Sequence, residues 1–202
     1  MKVIFIINSI SAQRCIKRVE EFIVHGYEVV AYGFSRKMDI HRLPEHFSIE
    51  IIGEFPNSLS FTNRLPIMAK GIKYVIRKHR NEQNLLFYLF QLDVALVFQM
   101  YAIGHRYKYI FEESDLMHTY INNKFICRLL EWMDKRIINR SLMSVLTSNG
   151  FVKYHFGDER PDNVILITNR LSLSVEELEK VVKYTVEERK LKIGFVGFPR
   201  YK

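Results

Sequence analysis

The sequence contains few cysteines and no long apolar segment. Only Cys15 and Cys127 occur among its 202 residues, which is too few for a disulfide framework or a multi-cysteine zinc module. No run approaches the ~18 apolar residues that span a bilayer. The apolar run at 3–7 is also too short for a signal peptide. We therefore expect a cytoplasmic protein without an integral membrane segment.

Several catalytic motifs are also missing. No G-x-G-x-x-G or P-loop follows the first apolar run, which argues against dinucleotide or ATP binding by this part of the chain. No G-x-S-x-G elbow surrounds Ser9 or Ser11, so nucleophilic hydrolysis is not expected. The seven histidines form no H-E-x-x-H or similar pair. We accordingly predict no metal site and no bound cofactor.

What is present is an ordinary globular composition with one basic segment. Hydrophobic residues make up 48% of the chain and charged residues 26%, which excludes disorder as the main state. The net charge of +8 is uneven, because the segment 64–80 holds six Lys and Arg and no acid. The rest of the chain is nearly neutral. This distribution argues against a uniformly basic nucleic-acid-binding protein.

The basic segment has the periodicity of an amphipathic helix. Four basic residues recur at intervals of three and four and share one face: Lys70, Lys73, Arg77 and Arg80. Met68 and Ile72 begin an apolar face of the same period. The basic face can bind an anionic membrane at ~1 kcal/mol per residue, or it can be a solvated outer face. Nucleic-acid binding is the weaker alternative, because Tyr74 is the only aromatic residue between these charges.

Short apolar runs alternate with helical patterns along the chain. Buried strands are predicted at 3–7, 28–34, 48–53, 84–90, 108–112, 142–146 and 163–167. Helices are predicted between them: one that contains Cys15 and ends at Gly26, one that begins at Pro66, two at 93–104 and 120–140, and a short one after Ser148. This alternation predicts an α/β fold with a Rossmann-like, doubly wound, mostly parallel sheet.

The pattern changes near residue 170. A charged helix is predicted at 171–190, with Ser174 and Glu177 forming a capping box. A new apolar run at 191–196 then precedes Gly197 and Arg200. We expect three parts: a Rossmann-like domain at 1–170, an interdomain linker and helix at 171–190, and the first strand of an absent second domain at 191–202.

Polar residues follow several of the predicted strands. In open α/β sheets, ligands bind at the carboxyl ends of the strands. Glu112, Glu113 and Asp115 lie together at one such end. Clustered carboxylates can raise one another's pKa to give a proton acceptor, or can bind sugar hydroxyls. The alternative is a solvated loop in which Ser114 or Asp115 only caps the following helix.

Five segments, in this order, resemble the N-terminal half of a GT-B-fold glycosyltransferase of the family 4 type. They are the Lys17-Arg18 helix leading to the G-x-x-V-x-V-like stretch at 26–34, and the segments Y-I-F-E-E-S-D-L at 109–116, T-S-N-G-F at 147–151, V-I-L-I-T-N at 164–169 and I-G-F-V-G-F-P-R-Y at 193–201. The resemblance covers essentially the whole chain. The last segment is similar to the first strand of the second Rossmann domain of that family.

The resemblance implies a retaining enzyme that transfers a sugar from a nucleotide-sugar to a glycan or lipid-linked acceptor, without a metal. In such enzymes the N-terminal half holds the acceptor and the other half holds the nucleotide-sugar. Many act in polysaccharide biosynthesis at the cytoplasmic face of the membrane, which suits the basic helix as a peripheral membrane contact. Nucleic acid is not an expected partner.

The resemblance also assigns roles to the candidate residues. The catalytic candidates are Asp115, Glu113 and Glu112, and the acceptor-binding candidates are Asn8, Ser9, Arg14 and Gln91. Gly197 and Arg200 are the donor-phosphate candidates. The sequence departs from the family in lacking a glycine-rich loop after the first strand. Because the donor half is expected to be absent, this chain alone is expected to be inactive. The alternative is a non-catalytic Rossmann-like module for binding or membrane docking.

Overall fold

The computed structural model describes residues 1–36, 48–55, 61–105 and 107–168. They belong to one compact unit, Met1–Asn169. The predicted helix at 171–190, the predicted strand at 191–196, Gly197 and Arg200 lie outside the described residues.

Seven strands form one parallel sheet in the order β3-β2-β1-β4-β5-β6-β7. They are β1 (Lys2–Ile7), β2 (Glu28–Arg36), β3 (Ile49–Phe55), β4 (Leu85–Phe90), β5 (Lys108–Glu113), β6 (Met143–Leu146) and β7 (Val164–Leu166). The predicted doubly wound, Rossmann-like α/β fold is confirmed. Each of the seven strands predicted between residues 3 and 167 is present, with ends shifted by one or two residues.

The helices form two layers around the sheet. They are α1 (Gln13–Val24), α2 (Phe61–Lys78), α3 (Leu92–Tyr101), α4 (Lys124–Arg140) and α5 (Asn149–Phe156), with a short 3-10 helix at Met117–Tyr120. Helix α1 packs on one face through Cys15, Ile16 and Val19. Residues of α2 to α5 pack on the other face. No helix in the described ranges combines the length and the apolarity that a bilayer crossing requires.

Strands β1 and β4 are almost entirely apolar, as expected for strands with both faces buried. In β1, Ile4 and Ile6 point into the core beneath α2 to α5, whereas Phe5 points toward α1. The Phe5 ring stacks on that of Tyr88 in β4, with ring centroids 4.8 Å apart. The period of two that produces this arrangement also directs consecutive residues of β5 to opposite faces.

Two helix boundaries differ from the sequence predictions. Helix α2 begins at Phe61 rather than at Pro66, so the proline lies inside the helix, where it removes one backbone hydrogen bond. The helix predicted at 120–140 begins only at Lys124, after the 3-10 helix. Asn123 caps it, since its side-chain oxygen accepts hydrogen bonds from the backbone N–H groups of Phe125 and Ile126. The predicted end of α1 at Gly26 is confirmed by its φ of +77°.

Candidate functional site

The strand order reverses between β1 and β4, the position at which open α/β sheets form a ligand-binding crevice. These two strands are neighbours, and the chain winds away from them in opposite directions across the sheet. Outside the carboxyl ends of such a pair, the flanking loops separate and leave room for a ligand. The segment at 8–12 follows β1, Gln91 follows β4, and Ser114 and Asp115 follow β5. The predicted site residues at 8, 9, 91 and 115 therefore lie on one edge of the sheet.

The loop after β1 is anchored to β2. The backbone N–H of Ile10 donates to the carbonyl of Phe34 at 3.1 Å. The Ile10 side chain occupies the space above Gly33, where a Cβ would lie 2.4 Å from its Cγ2 atom. Asn8 and Ser9 are half-buried, and the Ser9 hydroxyl is 2.9 Å from that of Ser11. The polar loop at 8–12 thus stands where the family that this sequence resembles commonly has a glycine-rich loop.

Gln91 has a strained backbone at the centre of this edge. Its φ of 74° and ψ of 154° fall in a region that is essentially restricted to glycine. The conformation is held by its N–H, which donates to the carbonyl of Glu112 at 2.9 Å. Its side-chain amide donates to the Ser114 hydroxyl. Such strain concentrates at functional sites, and it is a signal that the sequence did not contain.

Asp93 is a buried acid on the same edge, two residues after Gln91. It lies in the first turn of α3, where its Oδ1 atom accepts a hydrogen bond from the N–H of Val94 at 2.8 Å. Burial raises the pKa of Asp93 to about 6, although the guanidinium of Arg64 opposes this shift. A buried acid that titrates near neutrality is typical of functional sites.

The raised pKa of Asp93 makes stability depend on pH. Between the unfolded pKa of about 4 and the folded pKa of about 6, folding favours the protonated acid, so stability falls as pH rises through this interval. We expect a loss of roughly 2–3 kcal/mol from pH 4 to pH 8. Asp93→Asn removes this loss because an amide does not titrate in this range, while its oxygen can still accept the hydrogen bond from Val94. Urea unfolding of both proteins across this range measures the difference. Parallel pH profiles would contradict this assignment.

Glu112 points toward α1 and is enclosed by basic groups. Its side chain is 0% exposed. Its Oε1 atom lies 2.9 Å from Nε of Arg14, and its Oε2 atom accepts from Nε of Arg18 at 3.2 Å. The Tyr88 hydroxyl also donates to Oε2. The prediction that Glu112 binds acceptor hydroxyls does not fit this geometry. Glu112 instead orients Arg14, whose side chain is only 22% exposed.

Glu113 points to the opposite face of the sheet. Its carboxylate is fully buried, and Nε2 of His155 lies 2.8 Å from its Oε2 atom. Burial raises the pKa of Glu113 to about 7, and burial beside Glu113 raises that of Asp134 in α4 to about 9. The expectation that Glu113 faces the crevice is therefore wrong. The strand continues through residue 113, so its alternating side chains separate the two glutamates.

Asp115 remains the acidic candidate at the crevice edge. It is half-buried, and its carbonyl accepts from the backbone N–H of Met117 at 2.9 Å. Asn123 caps α4, so neither Ser114 nor Asp115 is the cap of that helix. The 3-10 helix begins at Met117, and its N-cap residue Leu116 provides no side-chain cap.

The basic face predicted on α2 is exposed in part. Lys70, Arg77 and Arg80 are exposed, whereas Lys73 is half-buried with its ammonium 5.6 Å from the ring centre of Tyr101. Helix α4, in the same layer, exposes four large apolar side chains, including Ile126. Phe125 is 77%, Leu129 46% and Trp132 57% exposed.

The comparisons with known proteins show the fold. No family model matches this sequence, and no curated protein matches it significantly. Sucrose-phosphate synthase from Thermosynechococcus elongatus is similar in structure, with a TM-score of 0.59 and 12% identity over 93% of this chain and 54% of that one. UDP-GlcNAc 2-epimerase from Methanocaldococcus jannaschii has a TM-score of 0.52 and 12% identity, over 84% of this chain and 46% of that one. The glycotransferase of kitacinnamycin has a TM-score of 0.51 and 8% identity, over 87% of this chain and 53% of that one.

This chain spans about half the length of the solved structures that it resembles. The domain has the Rossmann-like fold of one half of a GT-B protein, a glycosyltransferase-like fold. At these identities the likeness concerns the fold, so the chemistry depends on the residues of the crevice.

Proposed function

We propose that this chain is the acceptor-binding, N-terminal half of a retaining glycosyltransferase of the family 4 type. Such an enzyme transfers a sugar from a nucleotide-sugar to a glycan or lipid-linked acceptor in polysaccharide biosynthesis. The nucleotide-sugar binds to a second domain. The observation that carries the proposal is the polar crevice edge in a domain with about half the length of its structural neighbours. Two of these neighbours are named a sucrose-phosphate synthase and a glycotransferase.

The crevice edge provides the groups that bind sugar hydroxyls. Asn8, Ser9 and Gln91 offer neutral donors and acceptors, and Asp115 offers a charged acceptor. The strained backbone of Gln91 places its side chain against Ser114, which keeps the edge in one arrangement before a ligand binds. Arg14, held by Glu112 and 22% exposed, adds a positive charge beside these groups. This combination supports an acceptor that carries hydroxyls and a negative charge.

Binding of acceptors and donors by this chain tests the proposal. In two-dimensional NMR spectra, we expect saccharide phosphates to shift the signals of Ser9, Gln91 and Ser114. Nucleotide-sugars at about 1 mM should produce no saturable shifts, because one wall of the cleft cannot position them. Asn8→Ala should weaken saccharide binding about fivefold through the loss of one hydrogen bond. Asn81→Ala is the control, since Asn81 is exposed in the loop that precedes β4, at the opposite edge of the sheet.

The opposite pattern would contradict the assignment to an acceptor domain. Tight binding of a nucleotide-sugar, or sugar transfer by this chain without a donor half, would show that the domain does not work as one wall of a shared cleft. If saccharide phosphates shift only NMR signals of residues away from the crevice edge, the result would favour the alternative, a non-catalytic binding module.

We propose in addition that the layer formed by α2, α3 and α4 contacts an anionic membrane. Lys70 and Arg77 supply exposed charge on α2, and Phe125 and Trp132 supply exposed apolar surface on α4. Exposed Arg128 and Arg136 flank these apolar side chains, and the Arg136 guanidinium lies 5.5 Å from the Trp132 ring centre. Apolar and basic side chains on one surface are typical of helices that lie in a membrane interface.

Vesicle sedimentation tests this contact. We expect binding to anionic vesicles that weakens with salt, and little binding to neutral vesicles. Changing Lys70, Lys73, Arg77 and Arg80 to Glu should abolish binding with a change in stability within ~1 kcal/mol, as for surface positions. A triple change of Phe125, Leu129 and Trp132 to Ser measures the contribution of α4. Unchanged binding to anionic vesicles by both variants would show that these surfaces are solvated and do not contact the membrane.

A further inference from the structure

A second cluster of chemically active side chains lies behind the crevice, on the opposite face of β5. It consists of Glu113 at the end of β5, His118 in the 3-10 helix, Asp134 in α4 and His155 in α5. All four side chains are 0% exposed. Four separate elements of the fold therefore meet at two carboxylates and two imidazoles.

The donor atoms of this cluster are spaced as ligands of one small cation. Nε2 of His155 lies 2.8 Å from Oε2 of Glu113 and 3.8 Å from Oδ2 of Asp134. Nδ1 of His118 lies 3.7 Å from the same Asp134 oxygen. The ligand atoms of Glu113, Asp134 and His155 all lie within 4.8 Å of one another. Around a tetrahedral Zn²⁺ with bonds of 2.0–2.1 Å, ligand atoms are about 3.3 Å apart, which is close to the mean of the three measured contacts.

The cluster also holds many of the unsatisfied polar atoms of the described residues. Five buried side-chain atoms in it have no hydrogen-bond partner: Oε1 of Glu113, Nδ1 of His118, both carboxylate oxygens of Asp134 and Nδ1 of His155. Buried polar atoms are nearly always paired in proteins, and an exception calls for a bound ion or water. Such a concentration of orphaned atoms at one point indicates a missing ligand with positive charge.

One imidazole is already oriented for coordination. The Nε2 atom of His118 lies 3.1 Å from the hydroxyl of Tyr154, so its Nδ1 atom is directed toward Asp134. Metal-bound histidines commonly have their second ring nitrogen held by such a partner, which fixes the ring.

We propose that Glu113, Asp134 and His155 bind a divalent transition-metal cation, with His118 as the fourth ligand. The donor set of nitrogen and carboxylate oxygen in a four-coordinate arrangement fits Zn²⁺ better than Mg²⁺ or Ca²⁺, which take six or more oxygen ligands. The site is closed to solvent, so its role is structural. It joins β5, α4 and α5 directly behind Ser114 and Asp115, and so supports the wall of the crevice.

Metal analysis of the whole chain tests this site. We expect about one zinc per chain after purification without chelators. Chelation should lower the melting temperature, and added Zn²⁺ should restore it. Asp134→Asn and, separately, His155→Gln should reduce the zinc content to near zero. Asp93→Asn, at a buried acid outside the cluster, is the matched control and should retain full zinc occupancy.

A second measurement covers the case in which these variants fail to fold. Wild-type protein treated with chelator is titrated with Co²⁺, for which we expect the visible absorption of a tetrahedral complex. The proposal is overturned if the wild-type protein contains no metal and neither Zn²⁺ nor Co²⁺ changes its melting temperature or spectrum. The carboxyl groups would then share a proton instead. None of these readouts depends on sugar transfer, so they are independent of the proposed function.

Discussion

Replacing Glu112 by alanine is expected to lower the free energy of unfolding by about 3–5 kcal/mol, the range for breaking a buried ion pair by removing one partner. The change leaves the guanidinium groups of Arg14 and Arg18 in a region where their side chains are only 22% and 12% exposed. It also removes the acceptor of the Tyr88 hydroxyl, which is buried. Urea denaturation of the variant and the wild-type protein measures the loss.

Glu21→Ala provides the matched control for this experiment. Glu21 also pairs with Arg18, but its side chain is 57% exposed. Exposed ion pairs contribute about 0.2–1 kcal/mol, so the control should lose no more than that. If Glu112→Ala does not fold, Glu112→Gln keeps the shape and removes only the charge. A loss below about 1 kcal/mol for both Glu112 variants would show that the carboxylate does not anchor α1 to the sheet.

The second large effect is expected from Asp115→Asn in an enzyme that contains the donor half. If the carboxylate binds an acceptor hydroxyl, the substitution should slow transfer by about 10- to 100-fold, which corresponds to ~1.5–3 kcal/mol for a hydrogen bond to a charged group. Binding of the nucleotide-sugar should change little, because the donor lies in the other domain. Steady-state kinetics with acceptor and donor varied separately distinguish the two effects.

Asp115→Asn is expected to change stability by no more than ~1 kcal/mol, because Asn123 caps α4 and because Asn caps a helix about as well as Asp. Asp158→Asn is the control, since Asp158 is exposed at the end of α5 and away from the crevice edge. Transfer at the wild-type rate by the Asp115 variant would remove this residue from the catalytic candidates.

Much of the fold could be predicted because its core is organised by short apolar runs. A run such as 3–7 is compatible with burial on both faces of a parallel sheet, and its neighbours at 84–90 and 108–112 have the same character. The boundary of α2 could not be predicted in this way. Pro66 is typical of a first helical turn, but Phe61 begins the helix. The packing of α2 against β3 and α3 offsets the backbone hydrogen bond that the proline removes.

The candidate site was less predictable, because neighbouring residues of a strand point to opposite faces of the sheet. Glu112 and Glu113 form one acidic cluster in the sequence, yet one binds arginines of α1 and the other a histidine of α5. The alternation of a strand could have separated them if the strand had been extended by one residue. For His118, Asp134 and His155, no spacing in the sequence signals that they meet.

By itself, the sequence determined the order of strands and helices, the Rossmann-like class and the loop positions at 8–9, 91 and 114–115. These features depend on local patterns of apolar residues and on the rule that ligands bind beyond strand ends. Only the tertiary structure decided the pairing of Arg14 and Arg18 with Glu112, the strain at Gln91 and the buried cluster around Asp134. Each depends on contacts between residues that are distant in the chain. Because an unpaired buried charge costs free energy, the buried charged groups are paired with one another.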